Sequence, residues 1–179
     1  MIEVRQVNQE VFVAKDSIVA FGDEELEFVK KAAAKSERGR ARICAHHTSE
    51  DLLHEMLIAI TPRSYIRPHR HLEKSESFHV VEGIVDVIVF SENGDITKII
   101  ELGEPGSGRS FFYRMSESKF HTLLIHSQIL VVHEVTNGPF RASTSVMAGF
   151  APMETDLPAA QRYVEELLQQ NFAFKRDQS

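Results

Sequence analysis

The spacing of apolar residues changes along the chain and divides it into three predicted parts. Residues 1–20 alternate weakly between apolar and polar positions, which predicts a pair of strands. The segment GDEELEFVKKAAAKS at 22–36 predicts a helix, with Asp23 as its N-cap, acidic residues in the first turn and lysines toward the end. Residues 1–40 are therefore expected to form an N-terminal extension of strands and one helix.

The second part, residues 41–156, consists of short β-rich runs separated by turn signals, which predicts an all-β domain. The run SFHVVEGIVDVIVF is rich in β-branched residues, and Asn93-Gly94 behind it is a strong hairpin signal. Further strands are predicted in the runs EMLIAI, ITKIIEL, SFFYRM, FHTLLIH and QILVVHEV. Aromatic residues expected in the core are Phe111, Phe112, Phe120 and Phe150.

The third part, residues 157–179, is expected to form a C-terminal helix and tail. The helix is predicted from about Pro158, which suits a first helical turn, to Asn171. Apolar residues at helical spacing mark its buried face, namely Val164, Leu167 and Leu168.

Composition narrows the function classes. The net charge of −6 and the lack of a long basic stripe disfavour a nucleic-acid-binding protein. No apolar run approaches the roughly 18–20 residues that span a bilayer, and the first ten residues lack the apolar region of a signal peptide. The single cysteine, Cys44, excludes an internal disulfide and is expected to be buried and inert. These features predict a cytoplasmic protein without a membrane segment.

Candidate chemistry is concentrated in YIRPHRHLEKSESFHVVEG, which runs from residue 65 to 83. Side chains alternate faces along a strand, so His69 and His71 are expected to point the same way and to reach one metal ion. Glu76 supplies a carboxylate a few residues later, and His121 is the obvious fourth candidate. Such a set suits Fe, Mn, Ni, Cu or Zn. Four other histidines are expected to be structural or solvent-facing: His54, His79, His126 and His133.

These residues carry a resemblance to a known family. The segment HRHLEKSESFHVVEG resembles the first cupin motif, H-x-H-x4-E-x6-G, at every ligand position and at the closing Gly83. Arg63 stands where the motif usually opens with a glycine. The second motif, P-x-G-x2-H-x3-N, is degraded. His121 matches its histidine, but Ser116, Ser118 and Ile125 replace the proline, glycine and asparagine.

The resemblance extends over roughly residues 41–156 and is closest to the small WbuC-type cupin metalloproteins of bacteria. Its most specific pieces are YIRPHRH, the run at 134–140 and FAP at 150–152. It implies a jelly-roll barrel, or double-stranded β-helix, as the central domain. It also implies that four residues bind one divalent transition metal: His69, His71, Glu76 and His121. That family is often associated with surface polysaccharide gene sets, so a sugar or sugar nucleotide is a candidate substrate.

Residues near this site are candidates for substrate contacts and catalysis. Tyr65 and Arg67 share the parity of His69 and are expected to face inward, although Pro68 can disturb the alternation. Arg67 would pair with a carboxylate or phosphate, or else form a salt bridge at the barrel rim. Glu134 is interpreted as a general base, a partner that holds a ligand histidine, or a buried structural acid, and the second role is preferred. His47 would cover the barrel mouth unless it lies on the surface.

Three functions follow from the sequence. The first is a metal-dependent enzyme acting on a small polar metabolite by isomerisation, epimerisation, hydrolysis or oxygenation. The second is a non-catalytic module that senses or binds a small molecule or metal. The third, a metal-free storage cupin, is disfavoured because such proteins usually lose the ligands that this chain retains. A homodimer is expected, with residues 1–20 as the candidate contact.

Overall fold

The computed structural model describes residues 1–177 and shows two β-sheets packed face to face, with one helix on the outer side of each. This confirms the predicted all-β class with an N-terminal and a C-terminal helix. Neither helix has the length and apolar composition that crossing a membrane requires. The elements in chain order are β1 (Val4–Gln6), β2 (Val11–Ala14), α1 (Asp23–Lys35), β3 (Arg40–Cys44), β4 (Leu53–Ile60), β5 (His69–His71), β6 (Glu76–Glu82), β7 (Ile84–Phe90), β8 (Ile96–Gly103), β9 (Phe112–Met115), β10 (Phe120–Ile125), β11 (Leu130–Asn137), a 3-10 turn (Ala142–Thr144), β12 (Ser145–Met147) and α2 (Leu157–Asp177).

The strand order explains how residues distant in sequence face one another. The larger sheet has the order β1-β2-β3-β4-β11-β6-β9, and the smaller one has the order β12-β5-β10-β7-β8. The strands β2 and β3, which are joined through α1, pair in parallel, whereas the other strand pairs among residues 1–177 are antiparallel. The strands β5, β6 and β7 follow one another in the chain but alternate between the sheets, so each sheet contributes side chains to a shared interior.

Three apolar layers hold this arrangement together, and the strand period of two assigns residues to them. On β7, Val85 and Val87 point into the layer between the sheets, while Ile88 points outward into the layer beneath α2. A third layer lies under α1, where Val29 and Ala33 pack against the larger sheet. Each side chain named here is at most 1% exposed, so both sheets are covered on both faces where the helices lie.

The N-terminal helix begins at Asp23, one residue earlier than an N-cap at Asp23 would imply. Gly22, rather than Asp23, is the N-cap residue. The reason is that Glu25 turns back, and its carboxylate accepts hydrogen bonds from the backbone N–H groups of Gly22 and Ile2 at 2.9 and 2.8 Å. This satisfies a free donor at the helix start and leaves Asp23 in the first turn. The same bonds hold the pKa of Glu25 below its usual value.

The C-terminal helix is longer than predicted. It continues to Asp177 instead of ending near Asn171. Its last turns are anchored by polar contacts, because Asn171 Nδ2 and Lys175 Nζ reach the carboxylate of Asp86 on β7 at 2.8 and 2.7 Å. Apolar periodicity does not detect such an anchor. Pro158 lies in the first turn, as predicted.

The expectation that Phe111 and Phe112 belong to the core is wrong. They are 48% and 51% exposed, because β9 is an edge strand of the larger sheet and its inward-facing residue is Tyr113. Phe120 is buried and Phe150 packs against the layer beneath α2, as expected. Cys44 is buried and free, also as expected.

Gly83 separates β6 from β7 and permits the chain to change sheets. Its φ of +96° favours glycine, and a Cβ atom there would collide with the carbonyl oxygen of Ile129.

We expect Gly83→Ala to lower the free energy of unfolding by about 2–4 kcal/mol in urea titrations. Gly106→Ala is the matched control, since Gly106 has φ +92° but open space around its Cα, and it should cost only about 1 kcal/mol. Equal losses would show that the collision contributes nothing.

Candidate metal centre

Three histidines meet on the inner face of the smaller sheet. His69 and His71 lie on β5, and His121 on β10 is the direct cross-strand partner of His69. The ring centroids of His69 and His71 are 4.9 Å apart, and that of His121 lies 4.7 Å from the first and 5.9 Å from the second. One nitrogen from each ring falls within 4.8 Å of the others, which is the arrangement of a group that can hold a metal ion.

A carboxylate approaches this group from the opposite sheet. Glu76, the first residue of β6, is 5% exposed, and its two oxygens lie 2.9 Å from His121 Nε2 and 3.3 Å from His71 Nε2. The hydroxyl of Tyr113 donates a hydrogen bond to the same carboxylate at 2.5 Å. The structure therefore brings all four sequence-predicted ligands together, with the two sheets supplying histidines from one side and the acid from the other.

The histidine rings are held through their Nδ1 atoms. His69 Nδ1 is 3.0 Å from the Arg67 carbonyl oxygen, and His121 Nδ1 is 2.9 Å from that of Lys119. A carbonyl oxygen only accepts, so both Nδ1 atoms must carry a proton and both Nε2 atoms point inward. Nε2 of His69 presents a lone pair, whereas Nε2 of His121 shares a hydrogen bond with the Glu76 carboxylate. His71 Nδ1 is held by Ser145 Oγ at 3.1 Å. Outer contacts of this kind fix the orientation of metal-binding imidazoles.

The histidine group combines a neutral imidazole, His69, with an ionised carboxylate, Glu76, which suits the binding of a cation. Burial, followed by the charges of the neighbouring histidines, lowers the pKa of His69 to about 4, so this ring is neutral at pH 7. Burial alone would raise the pKa of Glu76, but the charge and hydrogen bonds of His121 outweigh it and hold that pKa well below the usual range. For His121, burial opposes the charged form, yet the facing Glu76 raises its pKa. An ionised Glu76 carboxylate beside the neutral His69 ring is a site that attracts positive charge, and a metal ion there would compete with the proton on His121.

Comparison with known proteins bears on the fold. A family model described as a domain of unknown function (DUF6016) matches residues 21–102. Among curated proteins, none matches this sequence. The crystal structure of protein SO0799 from Shewanella oneidensis superposes with a TM-score of 0.55 at 11% identity, over 82% of this chain and 94% of that chain. A mutant salicylate 1,2-dioxygenase from Pseudoaminobacter salicylatoxidans, solved with gentisate, gives a TM-score of 0.50 at 13% identity, over 72% of this chain and 37% of that chain.

This chain has the cupin fold. The predicted jelly-roll architecture is thereby confirmed. Within this fold the four predicted ligands face the interior between the sheets, and His121 reaches its place without the proline, glycine and asparagine that the resemblance led us to expect around it. The segment before it is closed by a backbone hydrogen bond from Lys119 N–H to the Glu117 carbonyl at 2.9 Å, without the proline and glycine of the usual motif.

Glu134 lies on β11 beside Phe78 of β6 in the register and is half-buried. It shares the parity of Val132, so its side chain points toward the interior between the sheets. Burial and then the negative charge of Glu76 raise its pKa to about 8. Its preferred sequence-based role, holding a ligand histidine, belongs instead to the two carbonyl groups and the Ser145 hydroxyl described above. Within residues 1–177 the Glu134 carboxyl has no hydrogen-bond partner.

Tyr65 and Arg67 do not follow the strand alternation used to predict them, because residues 61–68 form no strand. The Tyr65 hydroxyl donates to the Pro152 carbonyl at 3.0 Å, and its ring packs on Tyr163 of α2. Arg67 Nη2 donates to the Ala148 carbonyl at 2.7 Å. The contribution of Arg67 to the histidine group comes from its backbone carbonyl. The structure thus ties both side chains to the segment that leads into α2.

His47 occupies the exposed loop between β3 and β4. The ring Nε2 of His47 lies 2.9 Å from the Asp16 carbonyl oxygen, and its backbone N–H donates to the Asp51 carboxylate at 2.9 Å. This is the surface position that was the default expectation. Among the other histidines, His79 is exposed, and His54 is 5% exposed and stacked on His46 with ring centroids 4.0 Å apart.

Sequence reasoning missed two residues of the site. Tyr113, which contacts Glu76, belongs to a short aromatic run in which only the strand register distinguishes it from its exposed neighbours. Ser145, which holds His71, begins β12, a three-residue strand without an apolar run to reveal it. Neither carries a motif, so tertiary pairing is the signal that identifies them.

Proposed function

We propose that this cupin binds one divalent transition metal through His69, His71, Glu76 and His121, and that it is a metal-dependent enzyme acting on a small polar metabolite. The single observation that supports the proposal is the convergence of three imidazoles and one carboxylate within a largely enclosed interior. A purely structural role explains this poorly, because the three histidine rings approach one another closely and turn their Nε2 atoms toward the same buried carboxylate or its neighbours.

The donor set fits such an ion. Three imidazole nitrogens and a carboxylate oxygen suit Fe, Mn, Ni or Zn and leave further coordination positions for a ligand. When bound, an ion of this kind polarises a carbonyl group or lowers the pKa of a water molecule. The residues of the chain orient the site, because Tyr113 and the Nδ1 contacts hold the ligands before the ion arrives.

Glu134 is the proposed acid–base group. Its carboxyl lines the interior, has no hydrogen-bond partner among residues 1–177, and lies on the strand next to that of Glu76. A pKa of about 8 keeps it protonated at neutral pH, which suits a group that donates a proton to a bound metabolite. A sugar or sugar nucleotide as substrate, and a role in surface polysaccharide synthesis, rest on the WbuC-type resemblance, whereas the proposed cytoplasmic location rests on the single cysteine and the N-terminal composition.

A homodimer is also proposed. The first strand, β1, forms an edge of the seven-stranded sheet, and an edge strand leaves backbone N–H and C=O groups available for pairing with a second copy. Analytical ultracentrifugation of the full chain and of a Gln6→Pro variant tests this contact. Hydrogen-bonded pairs alternate along β1 and β2, so the Gln6 N–H faces away from β2, and proline there removes a donor from the free edge. Loss of the dimer in the variant supports it, and a monomeric wild type contradicts it.

Metal binding is tested by titrating the chelator-treated protein with Co²⁺ and following visible absorption and heat. We expect one equivalent to bind tightly and to raise the melting temperature, since the ligand binds only the folded state. Binding should weaken as the pH falls below the pKa of His121, because the proton and the ion compete for its Nε2 atom. The absence of saturable binding near one equivalent would refute the proposal.

The raised pKa of Glu134 predicts a pH-dependent stability in the metal-free protein. A carboxyl whose pKa rises from 4.5 to about 8 on folding loses stability as the pH increases between these values. We expect Glu134→Gln to remove this loss, so that the variant gains on the order of 1–3 kcal/mol relative to wild type between pH 5 and pH 8. Urea unfolding at both pH values measures the difference, and parallel curves for the two proteins would contradict the assignment.

A further inference from the structure

A cleft of about 540 Å³ lies between the free edges of the two sheets, where β8 ends the smaller sheet and β9 ends the larger one. The hydrogen bond from Gly103 N–H to the Ser110 carbonyl at 2.9 Å joins the end of β8 to the segment that precedes β9. The residues that matter for the chemistry of the cleft are Lys98, Glu101, Arg109, Tyr113 and Arg114.

The cleft is cationic on a chain whose net charge is −6. Three basic side chains line it against a single acid. Arg109 is already engaged, since its Nη1 lies 3.2 Å from Asp86 and 3.6 Å from Glu101. Arg114 makes one contact, a hydrogen bond to Ser75 Oγ at 3.3 Å. Lys98 is exposed and forms no hydrogen bond or ion pair with any residue from 1 to 177.

The cleft lies near the histidine group. In the smaller sheet Lys98 pairs with Val89, which in turn pairs with His121, so all three side chains lie in one row on the inner face. Lys98 and His121 are two strand spacings apart, so their Cα atoms are separated by about 10 Å. From the opposite sheet, Tyr113 lines the cleft while its hydroxyl contacts Glu76 at 2.5 Å.

We propose that this cleft is a subsite for an anionic group, a carboxylate or a phosphate, on the small ligand whose reacting part lies at the histidine group. Lys98 supplies a mobile point charge and Arg114 a planar fork, and both suit an oxyanion. The ligand class is therefore a small metabolite with its anionic end several ångströms from its reacting carbon. The position of the reacting end, at the histidine group, rests on the proposed function.

The test uses inorganic phosphate, and separately malonate, as probes of the full-length protein loaded with Mn²⁺. We expect saturable binding in calorimetry and a loss of at least tenfold in affinity in the Lys98→Met, Arg114→Gln double variant. The matched control is Lys31→Met, which removes an exposed cation on α1 and should leave the affinity unchanged. Equal loss in the control, or no loss in the double variant, would overturn the proposal.

Paramagnetic relaxation of the ³¹P signal by Mn²⁺ locates the phosphate. A distance near 10 Å supports the cleft, and one near 3 Å means that phosphate binds the ion itself and overturns the proposal. Measuring the Mn²⁺ content of each protein distinguishes failure of the proposed function from failure of the anion site. If the protein binds no Mn²⁺ but phosphate affinity still depends on Lys98, the proposed function fails and the anion site stands. If Mn²⁺ binds and phosphate does not, the anion site fails alone.

Discussion

Replacing His71 by alanine is expected to weaken Co²⁺ binding by at least about 100-fold while the protein stays folded. Loss of an outer partner alone typically costs 10–100-fold in affinity, so removing a ligand should cost more. The ring of His71 is 23% exposed and contacts Glu76 and Ser145, which makes it the mildest of the three histidines to remove. Titration of the chelator-treated variant measures the affinity, and circular dichroism checks the fold.

The matched control is His79→Ala. His79 lies on β6, three residues from Glu76, but faces outward and is exposed. Its replacement should leave the affinity for Co²⁺ within about twofold, because it contributes no ligand. Equal affinity in the His71 and His79 variants would mean that the ion, if bound, lies elsewhere.

Replacing Asp86 by alanine is expected to lower the free energy of unfolding by about 3–5 kcal/mol, because it leaves the buried Asn171 and several partly buried basic groups without their partner. Asp86 is fully buried and faces His126 Nε2 at 2.8 Å, Arg109 at 3.2 Å, and Asn171 and Lys175 on α2. Through Asn171 and Lys175, Asp86 therefore anchors the C-terminal helix to the smaller sheet. Urea unfolding monitored by circular dichroism measures the loss.

Glu101→Ala serves as the control for Asp86. Glu101 also pairs with Lys175 and Arg109, but it is half exposed, so its removal should cost no more than about 1 kcal/mol. A similar cost for both variants would show that burial of Asp86 adds nothing to its ion pairs.

The Asp86 carboxylate should also make stability depend on pH. Burial opposes its ionisation, but hydrogen bonds from His126, Lys175 and Asn171 outweigh burial and lower the pKa of Asp86. Its contribution to stability is then complete above the unfolded value of about 3.9 and is lost as the pH falls further. The difference in stability between wild type and Asp86→Ala should shrink between pH 5 and pH 2.5. A constant difference would contradict this account of Asp86.

Local pattern predicted those parts of the fold that depend on neighbouring residues. The alternation around Gly83, the Asn93-Gly94 turn and the acidic start of α1 each specify an element without reference to distant residues. The shared face of His69 and His71 belongs to the same class, since strand geometry alone determines it.

What the sequence did not predict depends on pairing between distant segments. The inward position of Tyr113, against exposed Phe111 and Phe112, follows from the register of β9 on β6. Asp86 lies in an apolar run that predicts only a buried strand, and its partners are 23 to 89 residues away. The inward parity assigned to Tyr65 and Arg67 failed because their segment is not a strand.

The most direct test of the central claim is a crystal structure of the protein grown with Mn²⁺, with anomalous diffraction data recorded to locate the ion. The account predicts one strong anomalous peak at bonding distance from Nε2 of His69, His71 and His121 and from a carboxylate oxygen of Glu76. A peak bound by other residues, or none at this group under saturating Mn²⁺, would contradict it.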